Sequence, residues 1–258
     1  MFGIQMYTLR NFMNTPEDYE ITLKRVSELG YENVQITSPG FSSAQHTADL
    51  LKKNNLKADS VMAGLYNIIG RSEKIAEDAS VLGTDVVRTD SIKRECRFSV
   101  DGYKRSAEHL NCCGKELKKY GLKFMYHFHS FEFIKLNDTR GIDILLEETD
   151  PDYVMFQPDV FWLTASGCEA SVELKKFAGR AEYIHLKDYV IISKNTETLE
   201  ETARASAPVG TGNLNWTAIL KTAADIGIKN FVVEDDMGIL DPFESAKESI
   251  KNMKKAGF

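Results

Sequence analysis

Short apolar runs alternate with longer segments of helical period along the whole chain. Runs at 2–6, 33–37, 57–62, 85–89, 122–127, 153–157, 183–186 and 230–233 read as strands, and their near-continuous apolar character suits strands covered on both faces. Between them lie helical stretches. The first follows Thr15-Pro16-Glu17-Asp18, a capping residue with proline at the first helical position, runs through Tyr19, Leu23 and Val26, and stops at Gly30. Others are predicted at 43–54, at 71–82 with a stop at Gly83, at 99–120, 141–148 and 170–177, after 213–216, and from Asp241-Pro242 onward. Residues 189–212 are polar with weak periodicity and read as a long excursion above one end of the fold.

Eight strand–helix pairs in 258 residues predict an α/β protein, a single (β/α)8 barrel over residues 1–258. A doubly wound sheet needs a glycine-rich phosphate turn after its first strand, and Tyr7-Thr8-Leu9-Arg10 is not one. The composition, 43% hydrophobic and 27% charged, is that of an ordinary globular protein. A net charge of −6 gives no electrostatic footing for nucleic acid or an anionic membrane. With no long apolar run and no leader pattern at Met1-Phe2-Gly3, a cytoplasmic location is expected. Cys96, Cys112, Cys113 and Cys168 lack metal-binding or disulfide spacing and read as free thiols, with the adjacent pair diverging on a helix.

A barrel builds its chemistry at the C-terminal ends of its strands, and polar residues collect there. The fifth strand runs into Tyr126-His127-Phe128-His129-Ser130-Phe131-Glu132-Phe133. In an extended strand positions i and i+2 share a face, so His127 and His129 project together, with Glu132 in the turn beyond. The sixth strand runs into Gln157-Pro158-Asp159, the seventh into His185-Leu186-Lys187-Asp188, and the eighth into Glu234-Asp235-Asp236. Taken with Glu132, that is Glu, Asp, His and Glu on four successive strands. Such an oxygen-rich set with one imidazole suits Mn²⁺, Mg²⁺, Co²⁺ or Fe²⁺. Asp241 reads as a helix cap and Asp188 as a cap or a partner of Lys187; His46 and His109 fall on helices and read as surface residues.

In order and spacing these motifs resemble the sugar phosphate isomerase/epimerase family, the xylose isomerase-like TIM barrels. Tyr126-His127-Phe128-His129-Ser130-Phe131-Glu132-Phe133 matches one branch's signature, and Gly3-Ile4-Gln5-Met6-Tyr7-Thr8-Leu9-Arg10 is similar to the family's opening strand. Asp159-Val160-Phe161-Trp162, His185-Leu186-Lys187-Asp188, Val209-Gly210-Thr211-Gly212-Asn213-Leu214-Asn215-Trp216 and Val233-Glu234-Asp235-Asp236 resemble further family motifs. The resemblance implies one divalent metal ion, Mn²⁺ first with Mg²⁺, Co²⁺, Fe²⁺ or Zn²⁺ open, held by Glu132, Asp159, His185 and Glu234, with His127 the alternate for the strand-five position. It implies an isomerase or epimerase that acts on a keto-sugar or related polyol by proton abstraction next to the carbonyl, through a metal-bound enediolate. Glu132 and Glu234 would exchange the proton, and Lys187 and His127 would act on the developing oxyanion. His129, Trp162, Tyr7 and Asp236 would line the substrate site. Relatives often carry Glu where Gln35, Gln157 and Thr211 stand, and a His where Met62-Ala63-Gly64 stands.

The expected partners are a small sugar-derived substrate and no nucleic acid or membrane; a homo-oligomer or a small partner subunit stays open. The competing readings are a keto-sugar lyase such as the barrel subunit of a C-glycoside deglycosidase, a sugar-binding relative without catalysis, and a nuclease of the AP-endonuclease type. Five histidines, two of them away from the strand ends, and a net negative charge disfavour the last.

Overall fold

The structure, a computed structural model, describes residues 1–37, 42–193, 202–236, 238 and 240–257. Eight parallel strands form the barrel: β1 (Phe2–Gln5), β2 (Asn33–Gln35), β3 (Lys57–Met62), β4 (Val86–Thr89), β5 (Lys123–His127), β6 (Met155–Gln157), β7 (Tyr183–Leu186) and β8 (Asn230–Val233). Their hydrogen-bonded order is β6-β5-β4-β3-β2-β1-β8-β7, each strand beside its neighbour in sequence, and a parallel bridge between Asp159 and His185 links the ends of β6 and β7. Every residue of β4, β7 and β8 is buried, because helices cover the outer face and side chains fill the interior.

Capping fixes where the helices begin. The side chain of Thr15 accepts from Asp18 N with Pro16 at the first helical position, Ser43 accepts from His46 N, and Ser99 from Gly102 N. Asp241 caps helix Pro242–Lys255 through Phe243 N and Glu244 N, the role expected of it. The barrel's lower interior is apolar, a cluster of Val86, Met125, Tyr183 and Val232. Toward the C-terminal mouth the inward positions turn polar: Gln35, Arg88, His127, Gln157 and His185 are all buried. This change of layer from plug to polar cup puts the chemistry at one end of the fold.

Several elements differ from expectation, most visibly at three places. β1 ends at Gln5, and Met6–Phe12 is a 3-10 segment. The third helix begins at Ile68 with a break at Arg71, whose φ of −135° is not helical. The segment read as an irregular excursion is a β-hairpin, Asp188–Ser193 paired antiparallel with Thr202–Ala207. Its polar outer face hid the strand period; residues 194–201 lie outside the described residues. Among the described residues no helix is long and apolar enough to cross a membrane.

Candidate metal centre

Each strand end delivers one side chain to the same point inside the mouth. His127 closes β5, Asp159 follows β6, His185 lies within β7, and Glu234 follows β8. All four are buried, and one ligand-capable atom from each lies within 4.8 Å of the others. His185 Nδ1 stands 3.3 Å from Glu234 Oε2 and 3.8 Å from Asp159 Oδ2. Neither His185 Nδ1 nor Asp159 Oδ2 makes a hydrogen bond. A buried carboxylate oxygen and a buried imidazole nitrogen left unsatisfied at one point are costly, and a cation between them removes the cost. The electrostatics agree: burial pushes the Asp159 carboxyl up to about 8 despite the Lys187 charge nearby, which marks an uncompensated carboxylate. Burial would also raise Glu234, but the neighbouring His185 ring and the charges of Lys187 and Arg88 outweigh it and bring it down to about 2. The donor set therefore fits a divalent cation.

A relay of amides fixes the imidazole tautomer at His185. The Tyr7 backbone N–H donates to Gln5 Oε1 at 3.2 Å, and the Thr37 hydroxyl donates to the same oxygen at 2.8 Å. That orients the Gln5 amide, whose Nε2 donates to Gln35 Oε1 at 3.0 Å. Gln35 Oε1 is thereby an acceptor, so His185 Nε2, 2.6 Å away, carries the proton and donates. Nδ1 is left with its lone pair facing the carboxylates, the arrangement a metal ligand needs. At His127 the Gln157 carbonyl oxygen takes the Nδ1 proton at 3.2 Å, leaving Nε2 as the free ring nitrogen. Gln5 and Gln35 are the residues that sequence reasoning passed over: Gln35 read as a lost glutamate, whereas it accepts the His185 proton. No sequence signal marked them, because the apolar runs read on to residues 6 and 37, and only the structure ends the two strands at Gln5 and Gln35.

Glu132 is not in this group, which corrects the strand-five assignment. It is fully buried, accepts a short hydrogen bond from the Tyr126 hydroxyl, and accepts the His129 backbone N–H at 3.0 Å. Burial raises its carboxyl to about 7. The reason is geometric. β5 ends at His127, and residues 131–133 form a 3-10 turn that aims Glu132 back toward Tyr126. His127, the alternate, occupies the strand-five place. Glu132 instead anchors the turn that carries His129.

Above the cluster lies a cavity of about 410 Å³ whose wall includes Tyr7, His129, Trp162, Lys187, Asp236 and Arg88. Lys187 is only 1% exposed; its ammonium meets Asp236 Oδ2 at 2.6 Å and lies 5.1 Å from the centre of the Trp162 ring. Burial lowers its affinity for a proton, but Glu234, Asp159 and Asp236 outweigh burial and hold it above the ordinary lysine value. His129 stacks on Phe131 with ring centres 5.7 Å apart and faces Trp162 at 5.5 Å. Burial holds its imidazole below the ordinary histidine value against the pull of Asp90 and Glu234. Tyr7 is 44% exposed at the rim, and Trp162 lines the wall while Phe161 is buried behind it.

The remaining flagged residues fall elsewhere. Asp188 accepts the N–H groups of Tyr189, Gly210, Gly212 and Leu214 and the Trp216 indole N–H, which pins the Gly-Thr-Gly loop; it is not a partner of Lys187. A Cβ at Gly212 would sit 2.3 Å from Asp188 Oδ1, so only glycine admits that approach. Thr211 bonds back to Pro208 O within the loop. Gln157 is buried with both side-chain polar atoms unpaired. His46 is exposed as expected, but His109 is half-buried, stacked on Tyr66 at 4.7 Å. Cys112 is exposed and Cys113 buried, and all four cysteines are free.

A family model described as xylose isomerase-like TIM barrel matches residues 23–256. An inosose dehydratase of Clostridium perfringens (strain 13 / Type A) is 27% identical over 252 residues, covering 93% of this chain and 82% of the relative. Among solved structures, a sugar phosphate isomerase/epimerase from Parabacteroides distasonis ATCC 8503 superposes with a TM-score of 0.81 at 22% identity, over 99% of this chain and 93% of that one. A protein named IOLI, solved with a zinc atom, superposes with a TM-score of 0.72 at 17% identity, over 98% of this chain and 96% of that one.

Proposed function

The chain belongs to the xylose isomerase-like TIM barrel family, and from that premise we propose that it is a divalent-metal-dependent lyase that removes water from a keto-sugar or keto-polyol by proton abstraction next to the carbonyl. The single observation that carries the lyase reading over epimerisation or isomerisation is the position of Glu132. Two glutamates facing each other across the substrate would have returned a proton to either face. With Glu132 bonded to Tyr126 and the His129 backbone, and with Asp90 and Asp236 facing Arg88 and Lys187, the proposed acid–base pair is His129 and Lys187. The curated relative named as a dehydratase supports the same outcome.

His127, Asp159, His185 and Glu234 would hold the metal. When bound, a divalent cation supplies Lewis-acid stabilisation of negative charge developing at the substrate carbonyl. A second imidazole in place of the expected glutamate moves the preference from Mg²⁺ toward Mn²⁺, Fe²⁺, Co²⁺ or Zn²⁺. Burial keeps His129 neutral at neutral pH, so it is the base that takes the proton from the carbon beside the carbonyl. The Lys187 ammonium, held charged by its carboxylate neighbours, gives a proton to the departing hydroxyl. The C–H pair becomes the new double bond, the C–O pair leaves with the oxygen, and water departs. Trp162 and Tyr7 cover the ring, and Asp236 holds the Lys187 ammonium in place.

The test is turnover of inosose and a keto-sugar panel in deuterated water by the metal-loaded protein, read by mass spectrometry. Loss of one water from the substrate is expected. Deuterium gain without loss of water would make the protein an epimerase or isomerase, and binding without either change would make it a non-catalytic relative.

A further inference from the structure

The charges around the mouth bear on what kind of sugar it accepts, an inference that rests on the reading of the cavity as a sugar site. Arg88, the third residue of β4, lines the cavity and is 2% exposed. Its Nε meets no acceptor. The Asp90 carboxylate stands 3.7 Å from Nη1, beyond hydrogen-bond length but close enough to balance the charge. Lys187, the second cation of the cavity, is matched by Asp236. Asp159 and Glu234 remain, and one divalent ion matches their two charges. At the rim, Arg10 donates to the backbone oxygens of Tyr7 and Asp236 and lies over the Tyr7 ring. Among the described residues of the cavity wall, Arg88 and Lys187 thus each face a carboxylate, while Arg10, outside that wall, is held by backbone oxygens.

An ionised phosphate would bring about two negative charges into this balanced, enclosed cup, where unmatched charge is expensive. Yet the Arg88 guanidinium lines the cavity with its Nη1 beyond hydrogen-bond length of Asp90, and a donor left unpaired also costs stability. An uncharged oxygen answers both conditions. We propose that Arg88 is a substrate-binding residue that donates to a hydroxyl or carbonyl oxygen, and that its pairing with Asp90 makes the site selective for uncharged keto-sugars over their phosphate esters.

Isothermal titration of the metal-loaded protein with fructose, fructose 1-phosphate and fructose 6-phosphate tests this in wild type, Asp90→Asn and the double variant Asp90→Asn with Arg88→Gln. Wild type should bind the esters at least about tenfold more weakly than fructose. Asp90→Asn, which frees the guanidinium charge, should shift the preference about tenfold toward an ester, and adding Arg88→Gln should remove the shift. Any ester contact with the metal is common to all three proteins and cancels in the comparison. Asp90 is one-third exposed, so its replacement leaves the core intact. Three results would overturn the proposal: a wild type that prefers an ester, an Asp90→Asn protein with unchanged preference, or a shift that survives loss of Arg88. The readout is binding, so a wild type that binds neutral ketose and turns over nothing ends the lyase reading while leaving this one standing.

Discussion

Replacing Gln35 by Leu probes the amide relay behind the metal site. Gln35 is fully buried, and its Oε1 takes the protons of both His185 Nε2 at 2.6 Å and Gln5 Nε2 at 3.0 Å. Leucine approximates the volume and removes the acceptor. Each donor left unsatisfied costs about 1–3 kcal/mol, and leucine also removes the Gln35 Nε2 donor that is already unpaired, so the fold should lose about 1–3 kcal/mol net. The effect on the metal is separate. Without an acceptor at Nε2, His185 no longer holds its Nδ1 lone pair toward Asp159 and Glu234, and loss of such an outer partner lowers metal affinity by about 10–100-fold. Gln35→Glu is the control: a carboxylate accepts the same proton with a charge-assisted bond, so affinity should equal or exceed that of wild type. Competitive titration against a chelating dye gives the affinity, and thermal melting of the metal-free proteins gives the stability. If Gln35→Leu binds metal within about twofold of wild type, the relay does not orient the ligand and the reasoning fails.

Four further outcomes follow from the same geometry. His127→Ala should lose most bound metal, whereas Glu132→Gln should retain it within a few-fold; the reverse result would restore the strand-five glutamate as ligand. His129→Asn should lower kcat by about 10²–10⁴-fold with metal content unchanged. Because burial holds His129 below its ordinary value and the neutral form is the base, kcat/KM should stay level at neutral pH and fall only as pH drops below the ordinary histidine range; His129→Asn should abolish that limb. Trp162→Ala should raise KM more than it lowers kcat, since the ring forms part of the cavity wall, and an unchanged KM would make it a packing residue only.

The barrel was legible because its strands are buried on both faces and its helices carry explicit start and stop residues, as at Thr15-Pro16 and Gly83. The convergence of Asp159, His185 and Glu234 was legible for a related reason: each sits at or beside the end of a strand, and a closed parallel barrel leaves such positions only one place to point. Glu132 was misplaced because its role depends on a 3-10 turn after His127, and a three-residue turn leaves no periodic signature. The hairpin at Asp188–Ser193 and Thr202–Ala207 was missed because one face is polar and solvent-facing. Gln35 misled because a side chain that orients a ligand is chemically close to one that is a ligand. Only its partners, Gln5 and His185, distinguish them, and both lie far from it in sequence.

Metal stoichiometry measured by plasma mass spectrometry on wild type and on His127→Ala, Asp159→Asn, His185→Ala and Glu234→Gln tests the central claim most directly. One equivalent of a divalent ion in wild type, lost from each of the four variants while circular dichroism shows the barrel intact, is the predicted result. Full turnover by protein stripped of metal, or one equivalent retained after any two of those substitutions, would contradict the account.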